Sequence, residues 1–314
     1  MNSLPVPIDF IVTKEHRRFA EFCDACRRDR YIGLCYGPPG VGKTLSARHY
    51  ANWYQLEAYH PYTVVSATEL AGVIGSMTVF YTPPVVNSPG RIAQDIQLKR
   101  HVLRTLALEH LDREEEAEQL AVQQQEAALR RRLIHDPAWR SGALRELPTV
   151  EPTVADLAKT YAQKREETRD PTGLLMIDET DRLKTASLEQ VRDIFDQGEL
   201  GVVLIGMPGL EKRLSRYPQL YSRVGFVHAF RPLSAAEVRG LLASQWLPSG
   251  VALPKEALTD EETRAAIIRI IGGNFRLLQR LLTQIARLVE INALSQVTRD
   301  VVEAARETLV IGVG

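Results

Sequence analysis

Five short apolar runs recur along the chain, each closing on a glycine, a polar or an aromatic residue: YIGLCY (31–36), TVFYT (78–82), GLLMID (173–178), GVVLIG (201–206) and FVHAF (226–230). Runs of this kind are what strands buried on both faces of a parallel sheet look like, and the helical stretches between them supply the crossovers such a sheet requires. The pattern predicts an α/β protein with a three-layer core. Ahead of the first run, TKEHRRFAEFCDACRRDR sets Phe19, Phe22, Cys23 and Cys26 along one side at helical spacing, so an amphipathic helix is expected there. LSARHYANWY and PGLEKRLSRY read as further helices.

From Ser234 onward the strands stop. SAAEVRGLLASQWL opens with the capping pair Ser234 and Glu237, TDEETRAAIIRII with the pair Thr259 and Glu262, and GNFRLLQRLLTQIARLVEINAL and TRDVVEAARETLV complete a small all-α domain. A boundary at Arg231 and Pro232 gives an N-terminal segment and helix (1–30), an α/β domain (31–230) and a helical domain (231–314). Inside the α/β domain, residues of about 90–150 form a charged insertion in which DREEEAEQLAVQQQEAALRRRL has an acidic block and then a basic one. A helix or helical hairpin whose two blocks pair with each other is expected, with a projection for a partner as the second reading. The loop before it, TPPVVNSPGR, is bounded by prolines and carries Arg91.

Composition narrows the class. With 45% hydrophobic residues in 314, the chain has material for a large core, and no apolar run approaches the ~20 residues of a membrane span. MNSLPVPIDF lacks the regions of a signal peptide, so a cytoplasmic protein without a membrane association is expected. Lys and Arg together number 39, as do Asp and Glu; a net charge of zero excludes a chain that coats nucleic acid by bulk electrostatics, and any DNA contact must come from a local patch. The three cysteines, Cys23, Cys26 and Cys35, make no disulfide framework, and CDAC lacks a second ligand pair for zinc; buried thiols on a helix are expected.

The chemistry lies at two strand ends. GPPGVGKT, comprising Gly37, Pro38, Pro39, Gly40, Val41, Gly42, Lys43 and Thr44 and followed by Leu45, fits G-x-x-x-x-G-K-[ST] between a strand and a helix. Such a loop curls backbone N–H groups around the phosphates of ATP, its lysine neutralises the β and γ oxygens, and its threonine offers a hydroxyl to Mg²⁺. In GLLMIDETD, Asp178 and Glu179 emerge at the carboxyl end of an apolar strand, where ligands of α/β sheets bind. Asp178 is the expected Mg²⁺ partner and Glu179 the group that positions and polarises the attacking water. Two arginines are candidates for the charge that phosphoryl transfer requires: Arg276 in GGNFRLL, and Arg223 in LYSRVGF, which lies far from its own phosphate loop in this topology and would serve a neighbouring copy.

GPPGVGKT, MIDETD, SRVGF and GGNFR, in this order and followed by a helical domain, resemble the Walker A, Walker B, arginine-finger and sensor 2 motifs of AAA+ ATPases. The resemblance implies an AAA+ P-loop NTPase domain followed by a helical lid, with Val12 and Thr13 of the N-terminal segment beside the adenine. It also implies a polar sensor 1 residue at the end of the fourth strand, where this chain has Gly206, Met207 and Pro208; slow hydrolysis is expected from that departure. The run IGMPGLEKRLSRYPQLYSRVGF with a compact lid is similar to the ATPases of DNA transposition, the TniB, TnsC and MuB group. That likeness implies rings or filaments formed with ATP on duplex DNA, and recruitment of a transposase, with Arg91, Lys99 and Arg100 as the basic residues for DNA and a target-selection protein as a further partner. A replication initiator or helicase loader, or a secretion ATPase of the ExeA kind, is the alternative.

Overall fold

The computed structural model describes residues 10–57, 65–135, 137–140, 149–254 and 257–309. The amphipathic N-terminal stretch is helix α1 (Lys14–Asp29), capped by Thr13 and burying Phe19, Phe22, Cys23 and Cys26. The apolar runs become β1 (Ile32–Tyr36), β2 (Thr78–Tyr81), β3 (Leu174–Ile177), β4 (Gly201–Gly206) and β5 (Val224–Ala229). They assemble in the order β2-β3-β4-β1-β5. β3 with β4, β4 with β1, and β1 with β5 are parallel, and Leu34 lies level with Leu204 and Val227. Every residue of β3 and β4 is buried, as expected of inner strands. β5 departs from the expectation of full burial: it is an edge strand whose positions alternate between half-buried and exposed, because successive side chains point to opposite faces and one of the two faces is left open.

Between β1 and β2 come α2 (Lys43–Tyr50), α3 (Trp53–Glu57) and α4 (Ala67–Ser76), and between β2 and β3 come α5 (Pro89–Leu133), α6 (Pro137–Arg140) and α7 (Val154–Glu167). A 3₁₀ turn (Thr180–Arg182) and α8 (Thr185–Gln197) follow β3, and α9 (Leu210–Leu214) and α10 (Pro218–Tyr221) follow β4. The helix expected over PGLEKRLSRY (208–217) is thus shorter than its pattern, Leu210–Leu214, and Pro218, just beyond it, starts a separate short helix at its first position. The strand-free region holds α11 (Ala235–Ala243), α12 (Glu261–Ile271), α13 (Phe275–Ile291) and α14 (Arg299–Glu307). These four close a core of their own that includes Val238, Leu242, Ile267, Leu278, Leu282, Ile285 and Val302. Ser234 and Glu237 form the expected capping box, whereas α12 is capped one residue later than expected, by Asp260, whose carboxylate accepts the Thr263 N–H.

The chain divides into two compact units, Met1–Tyr54 with Phe80–Ala93 and Gly173–Gly314, and Gln55–Val79 with Gln94–Thr172. In the second, Leu70, Val73, Leu103, Leu106, Leu157 and Tyr161 are buried. The acidic block of α5 does not pair with the basic one. Asp112 and Glu115 are bound by Arg165 of α7, and Arg113 bridges Glu109 and the Val65 carbonyl. α5 is one helix of 45 residues rising about 1.5 Å per residue, so blocks some 15 residues apart stand about 20 Å apart and cannot meet. Among the described residues no helix is long and apolar enough to cross a membrane.

Candidate nucleotide-binding site

β1 ends at Tyr36 and releases the glycine-rich loop, which runs into α2 at Lys43. Gly40 adopts φ +79°, a left-handed conformation, and a Cβ there would stand 2.4 Å from Asn274 Oδ1, so both backbone and space demand glycine. The Lys43 ammonium donates to the carbonyls of Gly37 and Pro38 at 2.6 and 2.8 Å. Burial holds its pKa below the usual lysine value, against the opposing pull of Cys35, Asp178, Asp181 and Glu179.

β3 delivers the acids. The Asp178 N–H donates to the Tyr81 carbonyl of β2 at 2.9 Å, which fixes the strand end. Its carboxylate, 4% exposed, accepts the Thr44 hydroxyl at 2.6 Å and the Glu179 N–H at 2.9 Å. Glu179 sits at φ 50°, ψ 40°, a region rare for residues with a Cβ, and its side chain is exposed to the cavity. The Thr44 hydroxyl and the Asp178 carboxylate are hard oxygen donors side by side, a set that fits Mg²⁺ held by few protein ligands plus phosphate and water. Among the described residues no group of three or more His, Cys, Asp or Glu could hold a metal unaided, and Cys23, Cys26 and Cys35 are buried free thiols.

The start of α13 closes the cavity from the other side. Asn274 caps the helix by accepting the Leu277 N–H, its amide donates to the Pro39 carbonyl at 3.0 Å, and the Arg276 N–H donates to the Gly40 carbonyl at 3.0 Å. A cavity of about 160 Å³ results, lined by Pro39, Gly40, Gly42, Lys43, Thr44, Leu45, Asp178, Glu179, Asp181, Gly206, Met207, Phe275, Arg276 and Gln279.

The structure therefore brings together Lys43, Thr44, Leu45, Asp178, Glu179 and Arg276. Gly37 and Pro38 serve as carbonyl partners of Lys43, and Val41 is buried behind the loop. Val12 is 49% exposed and Thr13 is the cap of α1; neither lines the cavity. Arg223 also lies outside it: its guanidinium makes a two-pronged pair with Asp196 of α8 at 2.5 and 2.8 Å and donates to the Gln219 carbonyl. Of the residues expected at DNA, Arg100 is paired with Asp170, while Arg91 and Lys99 stand on α5. Asp181, Asn274, Phe275 and Gln279 are site residues that sequence reasoning did not single out. Asp181 stands in the quoted acidic motif itself, and Gln279 follows Arg276 by three, a spacing that shares a helix face.

A parallel sheet whose strand ends carry a phosphate loop and an Asp–Glu pair defines an α/β P-loop nucleotide-binding protein. Residues 26–214 match the AAA domain family, and a Staphylococcus aureus protein described as a potential ATP-binding protein is 38% identical over 311 residues, 97% of this chain and 98% of its own length. The chain belongs to the AAA domain family. Similar solved structures include the Aeropyrum pernix ORC1 protein in complex with DNA, at 18% identity and TM-score 0.48 over 95% of this chain and 65% of that one. The Thermotoga maritima RuvB Holliday junction branch migration motor is another, at 16% identity and TM-score 0.45 over 96% and 70%.

Proposed function

We propose that the chain binds ATP with Mg²⁺ and hydrolyses it, as an ATP-dependent DNA-binding regulator of transposition that assembles into oligomers on duplex DNA and recruits a transposase. The convergence of Lys43, Thr44, Asp178, Glu179 and Arg276 on one cavity carries the hydrolytic part of this reading. The name of the S. aureus relative, a potential ATP-binding protein, supports the ATP-binding part.

The loop N–H groups and Lys43 receive the β and γ phosphates, Lys43 exchanging the Gly37 and Pro38 carbonyls for phosphate oxygens. Thr44 and Asp178 would hold Mg²⁺, which when bound would supply charge neutralisation to the phosphates. Glu179 orients a water whose oxygen bonds to the γ phosphorus as the bond from that phosphorus to the bridging oxygen breaks. ADP leaves with the electron pair, and the water proton passes to the Glu179 carboxylate and on to solvent. Arg276, opposite the acids in the cavity, faces the charge that develops on the γ oxygens and links α13 to it.

The transposition assignment rests on the order and wording of the motifs and on the compact helical domain. With a net charge of zero the single chain is a poor polyanion binder, so DNA binding should need ATP, weaken with salt and depend little on sequence. Titration of unrelated duplexes at two salt concentrations, with and without a non-hydrolysable ATP analogue, tests it. Tight binding by nucleotide-free monomers overturns the assembly mechanism, and a wild-type chain that binds ATP without ever releasing phosphate overturns the hydrolytic one.

A further inference from the structure

β4 ends in Gly206 and is followed by Met207, so the strand end presents no polar side chain to the cavity, although both residues line it. The space is occupied from elsewhere. Asp181, in the 3₁₀ turn after β3, reaches across so that its Oδ2 accepts the Met207 N–H at 2.7 Å. A Cβ built on Gly206 would meet that same Oδ2 at 2.7 Å, which makes the glycine a vacancy kept for this carboxylate.

The turn is also gripped from behind. Arg213 of α9 donates to the carbonyls of Thr180, Asp181 and Leu183, the contact to Asp181 being 3.0 Å. The exit of β4 and the turn after β3 are thus clamped twice, by Asp181 onto Met207 and by Arg213 onto Asp181. An ordinary solvent-facing acid would have neither constraint. Within the cavity Asp178 is committed through both oxygens, to Thr44 and to the Glu179 N–H. Asp181 has one oxygen on Met207, and its Oδ1 has no hydrogen-bond partner among the described residues.

We propose that Asp181 is a positioning residue for hydrolysis: it fixes the β4 exit and, through its second oxygen, holds the attacking water in line beside Glu179. The inference rests on the ATP-hydrolysing reading of this site and adds to it a residue that supplies from the 3₁₀ turn what β4 lacks. Asp181 neither receives the transferred proton nor touches the phosphates; it restricts where the water stands, so its loss acts on turnover and leaves nucleotide affinity intact.

The experiment measures steady-state phosphate release, affinity for a non-hydrolysable ATP analogue and thermal unfolding on five chains: wild type, Asp181→Ala, Asp181→Asn, Gly206→Ala, and Asp181→Ala combined with Gly206→Asn. Asp181→Ala is expected to lower kcat about 10- to 100-fold, the scale of a misplaced reactant, with analogue affinity and KM within about twofold. Asp181→Asn keeps an oxygen for the Met207 N–H and a polar group for water, and should recover to within about threefold of wild type. Gly206→Ala leaves Asp181 in the chain but drives a methyl into its carboxylate, so it should reproduce the kcat defect. The double variant fills the vacated space with an amide from β4 itself and should turn over faster than Asp181→Ala alone. A wild-type kcat in Asp181→Ala overturns the inference, as does a kcat loss in which analogue affinity and unfolding temperature fall in parallel and neither Asn nor the double variant restores turnover. A wild type that binds the analogue but releases no phosphate is a different failure, that of the hydrolytic reading beneath it.

Discussion

Lys43 is held by two carbonyls of its own loop, and these bonds decide how it meets a phosphate. Exchange of a neutral carbonyl for a charged phosphate oxygen pairs the ammonium with an opposite charge and strengthens each of these charge-assisted bonds. Lys43→Ala should therefore reduce ATP affinity by more than about 100-fold, since two charge-assisted bonds at 1.5–3 kcal/mol each are lost. Equilibrium binding of a fluorescent nucleotide checks this, and unchanged affinity would show that the loop is not the phosphate site. His16 offers a second residue-scale outcome. It is 7% exposed, packs edge-on against Phe10 and His49, and burial followed by the charge of His49 pulls its pKa down to about 4. A histidine whose folded pKa lies below its unfolded value near 6.5 binds fewer protons when folded, so its effect on stability is absent above pH 6.5 and grows destabilising as pH falls towards 4. At pH 5 the loss is about 2 kcal/mol. His16→Gln should flatten the fall of unfolding temperature between pH 7 and pH 5; an equally steep fall in the variant would assign the acid sensitivity elsewhere.

At the scale of elements, the strands were readable because each is a short apolar run with turn formers beside it, and the phosphate loop because its glycines, lysine and threonine are contiguous. What escaped the sequence is contact between distant elements. Asp181 meets Met207 and Asn274 meets Pro39 only because the sheet order and the helical region bring them together, and no spacing rule connects such residues. The cap of α12 was misplaced for a local reason: Thr259 and Asp260 are adjacent capping residues with suitable partners three positions on, and pattern alone does not choose between them. The charge blocks of α5 misled because composition counts charges without regard to helix rise. Asn274 also shows how one residue joins two elements, capping α13 and gripping the phosphate loop. Asn274→Ala should cost about 1 kcal/mol for the cap and leave the Pro39 carbonyl without its donor. The expected signature is a modestly lower unfolding temperature together with weaker ATP binding, as the loop loses its brace. A stability loss with nucleotide affinity unchanged would reduce Asn274 to a cap.

For the whole molecule the question is whether one copy completes another's site, and Arg223 carries it. In the single chain its guanidinium is bound by Asp196, itself shared with Arg192, and the Arg223 side chain is 31% exposed. Arg223 holds the Asp196 carboxyl below its usual pKa. Such partly exposed pairs contribute about 0–1 kcal/mol, less than the charge-assisted bonds a γ-phosphate would offer, so Asp196 can act as a parking place that Arg223 leaves when a neighbour's nucleotide is presented. If so, Asp196→Asn, which weakens the parking place, should raise ATP-dependent assembly and hydrolysis at protein concentrations where wild type is only partly assembled. Arg223→Ala should fold, bind ATP and fail in both. An arginine that serves only its own chain predicts instead that both variants lose a little stability and keep wild-type turnover per chain. Mixing separates the readings further. Arg223→Ala retains Glu179, and Glu179→Gln retains Arg223, so mixed oligomers regain complete sites at some subunit boundaries although neither variant is active alone. With both variants shown to fold and exchange subunits, recovery of phosphate release that peaks at an intermediate mixing ratio is the expected result, and no recovery at any ratio would mean that Arg223 does not act across an interface.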